Sequence, residues 1–133
     1  METLSIKTEK AKQIVDITKE VKTVLTECSW KNGLCLLFIP HTTAAITTAD
    51  LDPGTDLDML DAFEKIVPKL NFRHPHNPAH TPSHILSSLI GASLTIPVKA
   101  GKLELGTWQR VVLVELDGPR QRSIVVSFLK GEE

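Results

Sequence analysis

With 133 residues, 41% of them hydrophobic and 23% charged, the chain has the size and composition of one folded domain spanning residues 1–133, not of a disordered segment. Fifteen basic side chains against sixteen acidic ones, a formal net charge of −1, give no overall attraction for nucleic acid. Met1 to Lys7 lack the apolar run of a signal peptide, and the longest unbroken hydrophobic stretch, Leu34 to Ile39, is too short to span a bilayer; a cytoplasmic protein with no membrane partner is expected.

Thr3 to Thr8 alternates apolar and polar residues, and Gln13 to Asp16 is a second short β-like run, so the chain is expected to open with two strands. Asp16 or Thr18 can cap a helix on which Val21, Val24, Leu25 and Cys28 form one apolar stripe, ended by Asn32-Gly33. Leu34 to Ile39 reads as a buried strand stopped by Pro40, and Thr43 to Thr48 as a strand rich in β-branched residues. After the turn at Asp52-Pro53-Gly54-Thr55, Leu57, Leu60, Phe63 and Val67 mark a second amphipathic helix. Asn71 to Pro82, with its repeated prolines, suits an irregular loop. Thr81-Pro82-Ser83-His84 then starts a short helix, with Thr81 as its cap.

From Ser93 onward the pattern is β: Leu94 and Ile96, Leu103 and Leu105, Val112 to Leu116, and Ile124 to Phe128, with Asp117-Gly118-Pro119-Arg120 as the hairpin connection of the last two. The expectation is a single α+β domain, a mostly antiparallel β-sheet with helices packed on one face. Cys28 and Cys35 read as small core-type residues and are given no role.

The five histidines are notable for their placement. His41 closes a strand, His74, His76 and His80 sit in the proline-rich loop, and His84 begins a helix. Three converging imidazoles would make a metal site with an open coordination position, and a helix start can also receive a phosphate. The spacings match no fixed zinc motif. Asp56 and Asp58 suit the first turn of the second helix, whereas Asp50, after the β-branched strand, could orient a histidine.

Pro40-His41-Thr42-Thr43-Ala44-Ala45-Ile46-Thr47, then His84 to Gly91, then Ile96-Pro97-Val98, Gly101-Lys102-Leu103 and Leu105-Gly106-Thr107-Trp108-Gln109, resemble in order and spacing the YjbQ family, also called the secondary thiamine-phosphate synthase family. That resemblance implies a YjbQ-like fold, a homotrimer, a histidine-bound divalent metal, zinc being the expected ion, and a weak thiamine-phosphate synthase activity. By position it puts the metal on His41, His74 and His84, with His76 and His80 set behind them. Where many members carry Asn-Glu after the Thr-rich strand, this chain has Ala49-Asp50.

Thiamine phosphate synthesis joins a pyrimidine methyl diphosphate to a thiazole phosphate and releases pyrophosphate, so the site must bind phosphorylated groups and stabilise a departing anion. Arg73, Arg120 and Arg122 are the candidate cations, with Arg120 preferred for its tight turn and Asp50 as the catalytic carboxylate. Trp108 is either a core anchor or a surface for stacking on a heteroaromatic substrate. Two other readings stand beside this one. One is a metal-dependent hydrolase of a small phosphorylated substrate, with Asp50 or Asp58 as base. The other is a non-catalytic trimeric module holding a metal or an inorganic anion.

Overall fold

The structure, a computed structural model, describes residues 1–131. Strands β1 (Glu2–Lys7) and β2 (Gln13–Asp16) lead into helix α1 (Thr18–Glu27), followed by β3 (Gly33–Phe38), β4 (Ala44–Ala49) and α2 (Thr55–Ile66). A short 3₁₀ turn, Pro78–His80, runs into α3 (Thr81–Ile90), and β5 (Ser93–Lys99), β6 (Lys102–Leu103), β7 (Arg110–Glu115) and β8 (Gln121–Lys130) complete the chain.

The strands form two antiparallel sheets where the sequence suggested one. The larger has the order β1-β8-β3-β5-β6 and the smaller β2-β7-β4. The segment Asp117 to Arg120 is therefore not a hairpin: β7 pairs with β2 and β4, β8 with β1 and β3, and the connection carries the chain from one sheet to the other. A Cβ on Gly118 would lie 2.3 Å from the Lys10 carbonyl oxygen, so only glycine lets this crossover press against the β1–β2 loop, where its N–H donates to Ala11.

One face of the small sheet packs, together with α1, against the inner face of the large sheet. Ile17, Val21 and Leu25 of that helix region meet Leu37, Ile46, Val111, Leu113, Ile124 and Val126. The other face carries α2 and α3: Ala45, Val112, Val114 and Leu116 pack with Leu86, Leu60 and Phe63. Each fully buried leucine or isoleucine here contributes roughly 1.5–3 kcal/mol. β7 is covered on both faces, which explains its unbroken apolar run Val111 to Val114. Helices α2 and α3 thus cover one face of the small sheet while α1 lies on the other, and among the described residues no helix is long and apolar enough to cross a membrane.

Candidate functional site

Four segments meet where β7 ends and β4 begins: the β3–β4 loop, the crossover after β7, the loop before α3, and the first turns of α3. Hydrogen bonds lock them together. Ser83 Oγ donates to the Leu116 carbonyl at 2.9 Å, Ser87 Oγ to the Ala44 carbonyl at 2.6 Å, and the Leu116 N–H to the Thr43 carbonyl at 3.1 Å. Both serines are thus spent fastening α3 to the small sheet.

Behind this end lies a buried polar network that the sequence did not single out. Arg122, 1% exposed, pairs with Glu115, 0% exposed: Nε donates to Oε1 at 2.9 Å, and Nη2 donates to Oε2 and to the Thr43 carbonyl and hydroxyl at 3.0 and 2.9 Å. Thr8 Oγ1 donates to Glu115 Oε1 at 2.7 Å, and the Asp117 N–H to Oε2 at 3.1 Å. Burial pushes the Glu115 carboxyl up, but the hydrogen bonds from Arg122, Thr8 and Asp117 outweigh it and hold the group below its ordinary range. Arg122 is consequently not available to a ligand. A lone acid inside an apolar strand, Glu115 between Val114 and Leu116, is the sequence signal that would have flagged it.

His41 sits just past the end of β3, where Pro40 stops the ladder. Its Nε2 accepts the Ser123 N–H at 3.0 Å and so satisfies a backbone donor at the end of β8 pairing. Burial and the nearby Arg122 lower the ring's pKa below its ordinary 6.5, Arg120 adding to the effect, so the imidazole is held neutral.

His74 and His84 do come together. Their rings stack with centroids 4.9 Å apart and planes 21° from parallel. Beside them Leu70, Asn71, Phe72, Arg73, His74 and Thr81 line a cleft of about 610 Å³. Thr81 was expected to cap α3. Instead Asn77 Oδ1 caps the preceding 3₁₀ turn by accepting the Ala79 N–H, which places Thr81 inside the helical run and removes its capping task. Its hydroxyl is the one buried side-chain polar atom without a hydrogen-bond partner among the described residues. No side chain caps the start of α3.

The remaining candidates are dispersed. Arg120 is half exposed and turned back on its own loop, Nε donating to the Asp117 carbonyl and Nη2 to the Asp117 carboxylate, both at 2.7 Å. His80 Nδ1 lies 3.9 Å from the same carboxylate, and His76 is exposed. Asp50 does not face a histidine. It follows β4, with His41 before that strand, so the two are separated by the whole of β4, roughly 17–20 Å at 3.3 Å per residue. Asp50 instead accepts the Asp52 N–H in a turn and shares a shallow cleft with Asp16, Trp108 and Arg110. Asp58 belongs to that far end too, its N–H donating to Gly54. Trp108, 75% exposed, is not a core anchor; Gln109 props its loop by accepting the Gly106 N–H and donating to Thr48 Oγ1.

Comparison with known proteins gives the arrangement its relatives. The family described as UPF0047 protein YjbQ-like matches residues 2–131. The chain belongs to this family. It is 39% identical over 130 residues to the UPF0047 protein YugU of Bacillus subtilis, covering 97% of this chain and 98% of that protein. The UPF0047 protein MJ1081 of Methanocaldococcus jannaschii is 39% identical over 125 residues, covering 93% and 90% of the two chains. Among solved structures, a YbjQ-like protein of unknown function from Sulfolobus solfataricus superposes with a TM-score of 0.90 at 35% identity, covering 98% of this chain and 96% of its own. A UPF0047 protein from Clostridium acetobutylicum gives 0.88 at 38% identity, covering 97% and 100%.

The metal implied by resemblance to the YjbQ family can be tested against the donor atoms. A neutral imidazole has one unprotonated nitrogen. On His41 it is Nε2, occupied by the Ser123 N–H; on His74 it is Nδ1, which accepts the His76 N–H at 3.2 Å. Only the His84 ring is left without such an engagement, and no group of three or more His, Cys, Asp or Glu among the described residues could hold a metal ion. The three histidines as they stand do not fit a preformed zinc centre.

Proposed function

We propose that the cleft at the start of α3 binds the phosphate of a small phosphorylated molecule, and that the reaction served is condensation of the thiamine-phosphate synthase type. The observation that carries the anion reading is the orphaned Thr81 hydroxyl, buried beside Arg73 and the His74–His84 pair. A buried hydroxyl without a partner costs about 1–3 kcal/mol, and an anion oxygen would satisfy it. Arg73, with no carboxylate within 4.0 Å among the described residues, can offer its guanidinium fork to the same phosphate. His84, in the first turn of α3, can donate a ring N–H to a phosphate oxygen; in the condensation both side chains would steady charge accumulating on departing pyrophosphate.

Titration with inorganic pyrophosphate and thiazole phosphate, followed by calorimetry, tests the binding half. Saturable binding that weakens at least about tenfold in Arg73→Ala and in His84→Ala supports it. Equal affinity in wild type and variants overturns it. The reaction half is tested by thiamine phosphate formation from both substrates, with His84→Ala as the control for contaminating enzyme. Equal trace rates in the two proteins leave the anion-binding module in its place. The hydrolase reading loses support because Asp50 and Asp58 stand at the far end of the small sheet.

Zinc remains a separate proposal. Coordination by His41, His74 and His84 requires the rings to release the Ser123 and His76 N–H groups. Metal analysis of protein prepared without chelator decides it, one zinc per chain that is lost in His84→Ala being the supporting result. The homotrimer is likewise proposed. The outer face of the large sheet exposes Leu34, Phe38 and Leu129, 41%, 45% and 62% accessible, and burial against further copies would cover them. Light scattering that reports a monomer removes this proposal.

A further inference from the structure

Away from the histidine end, where the C-terminal turns of α1 meet the β5–β6 hairpin, lies a second cavity of about 500 Å³. Its floor is apolar, made by Leu25, Leu103 and Trp30, and its rim carries Lys22, Lys31 and Lys102. Trp30 is held by stacking on Phe128, with centroids 5.2 Å apart and planes 8° from parallel. The hairpin tip is fixed as well. Ala100 and Gly101 adopt φ of 52° and 77°, the Gly101 N–H donates to the Lys31 carbonyl at 2.9 Å, and the Ala100 N–H to Asn32 Oδ1 at 3.0 Å. The cavity wall therefore does not depend on a ligand for its shape.

The charge arrangement is what needs a cause. Lys99 and Lys102 are direct cross-strand partners, a placement in which like charges destabilise a hairpin, and Lys31 Nζ lies only 3.5 Å from where a Gly101 side chain would begin. None of Lys22, Lys31, Lys99 and Lys102 has a carboxylate within 4.0 Å among the described residues, in a chain whose acids outnumber its bases. Complementing the C-terminal dipole of α1 would be the plain explanation for cations here. Three of the last four carbonyls of α1 already have partners, however: Val24 accepts the Cys28 N–H, Thr26 the Ser29 N–H and Leu25 the Trp30 N–H.

We infer that this cavity is a binding site for a small amphipathic anion, a phosphate or sulfate ester of an aromatic or heterocyclic group. The charged oxygens would sit among Lys31, Lys102 and Lys22, and the ring would cover the Leu25, Leu103 and Trp30 floor. This site is independent of the cleft at α3 and stands whether or not that cleft binds phosphate.

Trp30 and Trp108 are the two tryptophans, so Trp108→Phe leaves Trp30 as the sole indole reporter. Phenyl phosphate should change its fluorescence saturably, and more tightly than inorganic phosphate does. The affinity should fall about tenfold or more in Lys31→Gln/Lys102→Gln and fall with added salt, yet be unmoved by Arg73→Ala, which empties the other cleft of its cation. Both lysines are exposed and Lys102→Gln relieves the repulsion with Lys99, so the double variant should keep or raise its melting temperature, which is checked in parallel. Absence of a saturable change at millimolar phenyl phosphate, the same affinity in the lysine variant, or equal binding of uncharged benzyl alcohol would each overturn the inference.

Discussion

Arg122 and Arg73 belong to the same end of the fold, but Arg122 lies on β8 with its Nε and Nη2 donating to Glu115 and Thr43, while Arg73 stands exposed in the loop before α3 with no carboxylate within 4.0 Å among the described residues. The first is a cation whose demand is met inside the protein. It holds the crossover from β7 to β8 in place and, 1% exposed, is closed to a ligand. The second has its demand unmet next to a cleft and an orphaned hydroxyl, and chemistry is to be sought there. The difference teaches that for a phosphate-binding reading the partner list of an arginine matters more than the turn it sits on. Arg120 makes the same point, its tight turn serving to fold the guanidinium back onto Asp117.

The sharpest way to break this contrast is to remove the partner of the buried arginine. Glu115→Ala leaves Arg122 charged and 1% exposed, and should cost on the order of 3–5 kcal/mol in denaturant unfolding, whereas Arg73→Ala should leave stability within about 0.5 kcal/mol. Replacing both partners by apolar residues, Glu115→Leu with Arg122→Met, should recover most of the loss. If Glu115→Ala is as stable as the wild type, the network is not the anchor of this end. The same carboxylate gives a pH signature. Its folded pKa is lowered from 4.5, so its stabilisation is complete above that value and is lost as pH falls through the depressed folded value; Glu115→Gln should flatten that acid limb.

His41 gives a smaller effect at higher pH. Its folded pKa lies below 6.5, so the unfolded chain binds the proton first, and stability should decline as pH drops from 6.5 towards the folded value. Protonation of Nε2 would also break the acceptor bond to the Ser123 N–H, a contribution of about 1 kcal/mol. Unfolding measured from pH 7.5 to 5 should show this slope in the wild type and not in His41→Gln. A slope of the opposite sign would mean that the ring is held as a cation, and the neutral-acceptor role would be wrong.

How much of this was legible in the sequence follows from what each pattern encodes. Helices α1 and α2 and the strand runs were readable, because period 3.6 and apolar β-rich stretches are local. The division into two sheets was not, since Asp117-Gly118-Pro119-Arg120 has the composition of a hairpin turn whether the strands it joins pair with each other or with others. In the site, the meeting of His74 and His84 could be anticipated from a loop running into a helix start. The distance of Asp50 from His41 depended only on the length of β4 and could have been reckoned. The capture of His41 by a backbone N–H and of Arg122 by Glu115 depends on contacts 82 and 7 residues apart that no local spacing records.

The smallest expected effect bears most directly on the orphaned hydroxyl. Thr81→Val keeps the β-branched shape and deletes the one buried polar atom without a partner among the described residues, and α3 gains no worse a helix former in the exchange. Were the hydroxyl structural, the variant would be less stable with or without anion. Since it has no partner among the described residues, the variant should instead be equal to the wild type or more stable by up to about 1 kcal/mol in phosphate-free buffer, because a desolvation cost disappears and no hydrogen bond is lost. The order should reverse with pyrophosphate present: the wild type gains melting temperature through ligand binding and Thr81→Val gains less, the gap widening with concentration as mass action requires. Melting curves of the two proteins with and without pyrophosphate read both signs in one experiment. A Thr81→Val chain that is destabilised without anion, or that responds to pyrophosphate as the wild type does, would return Thr81 to an ordinary place in the first turn of α3.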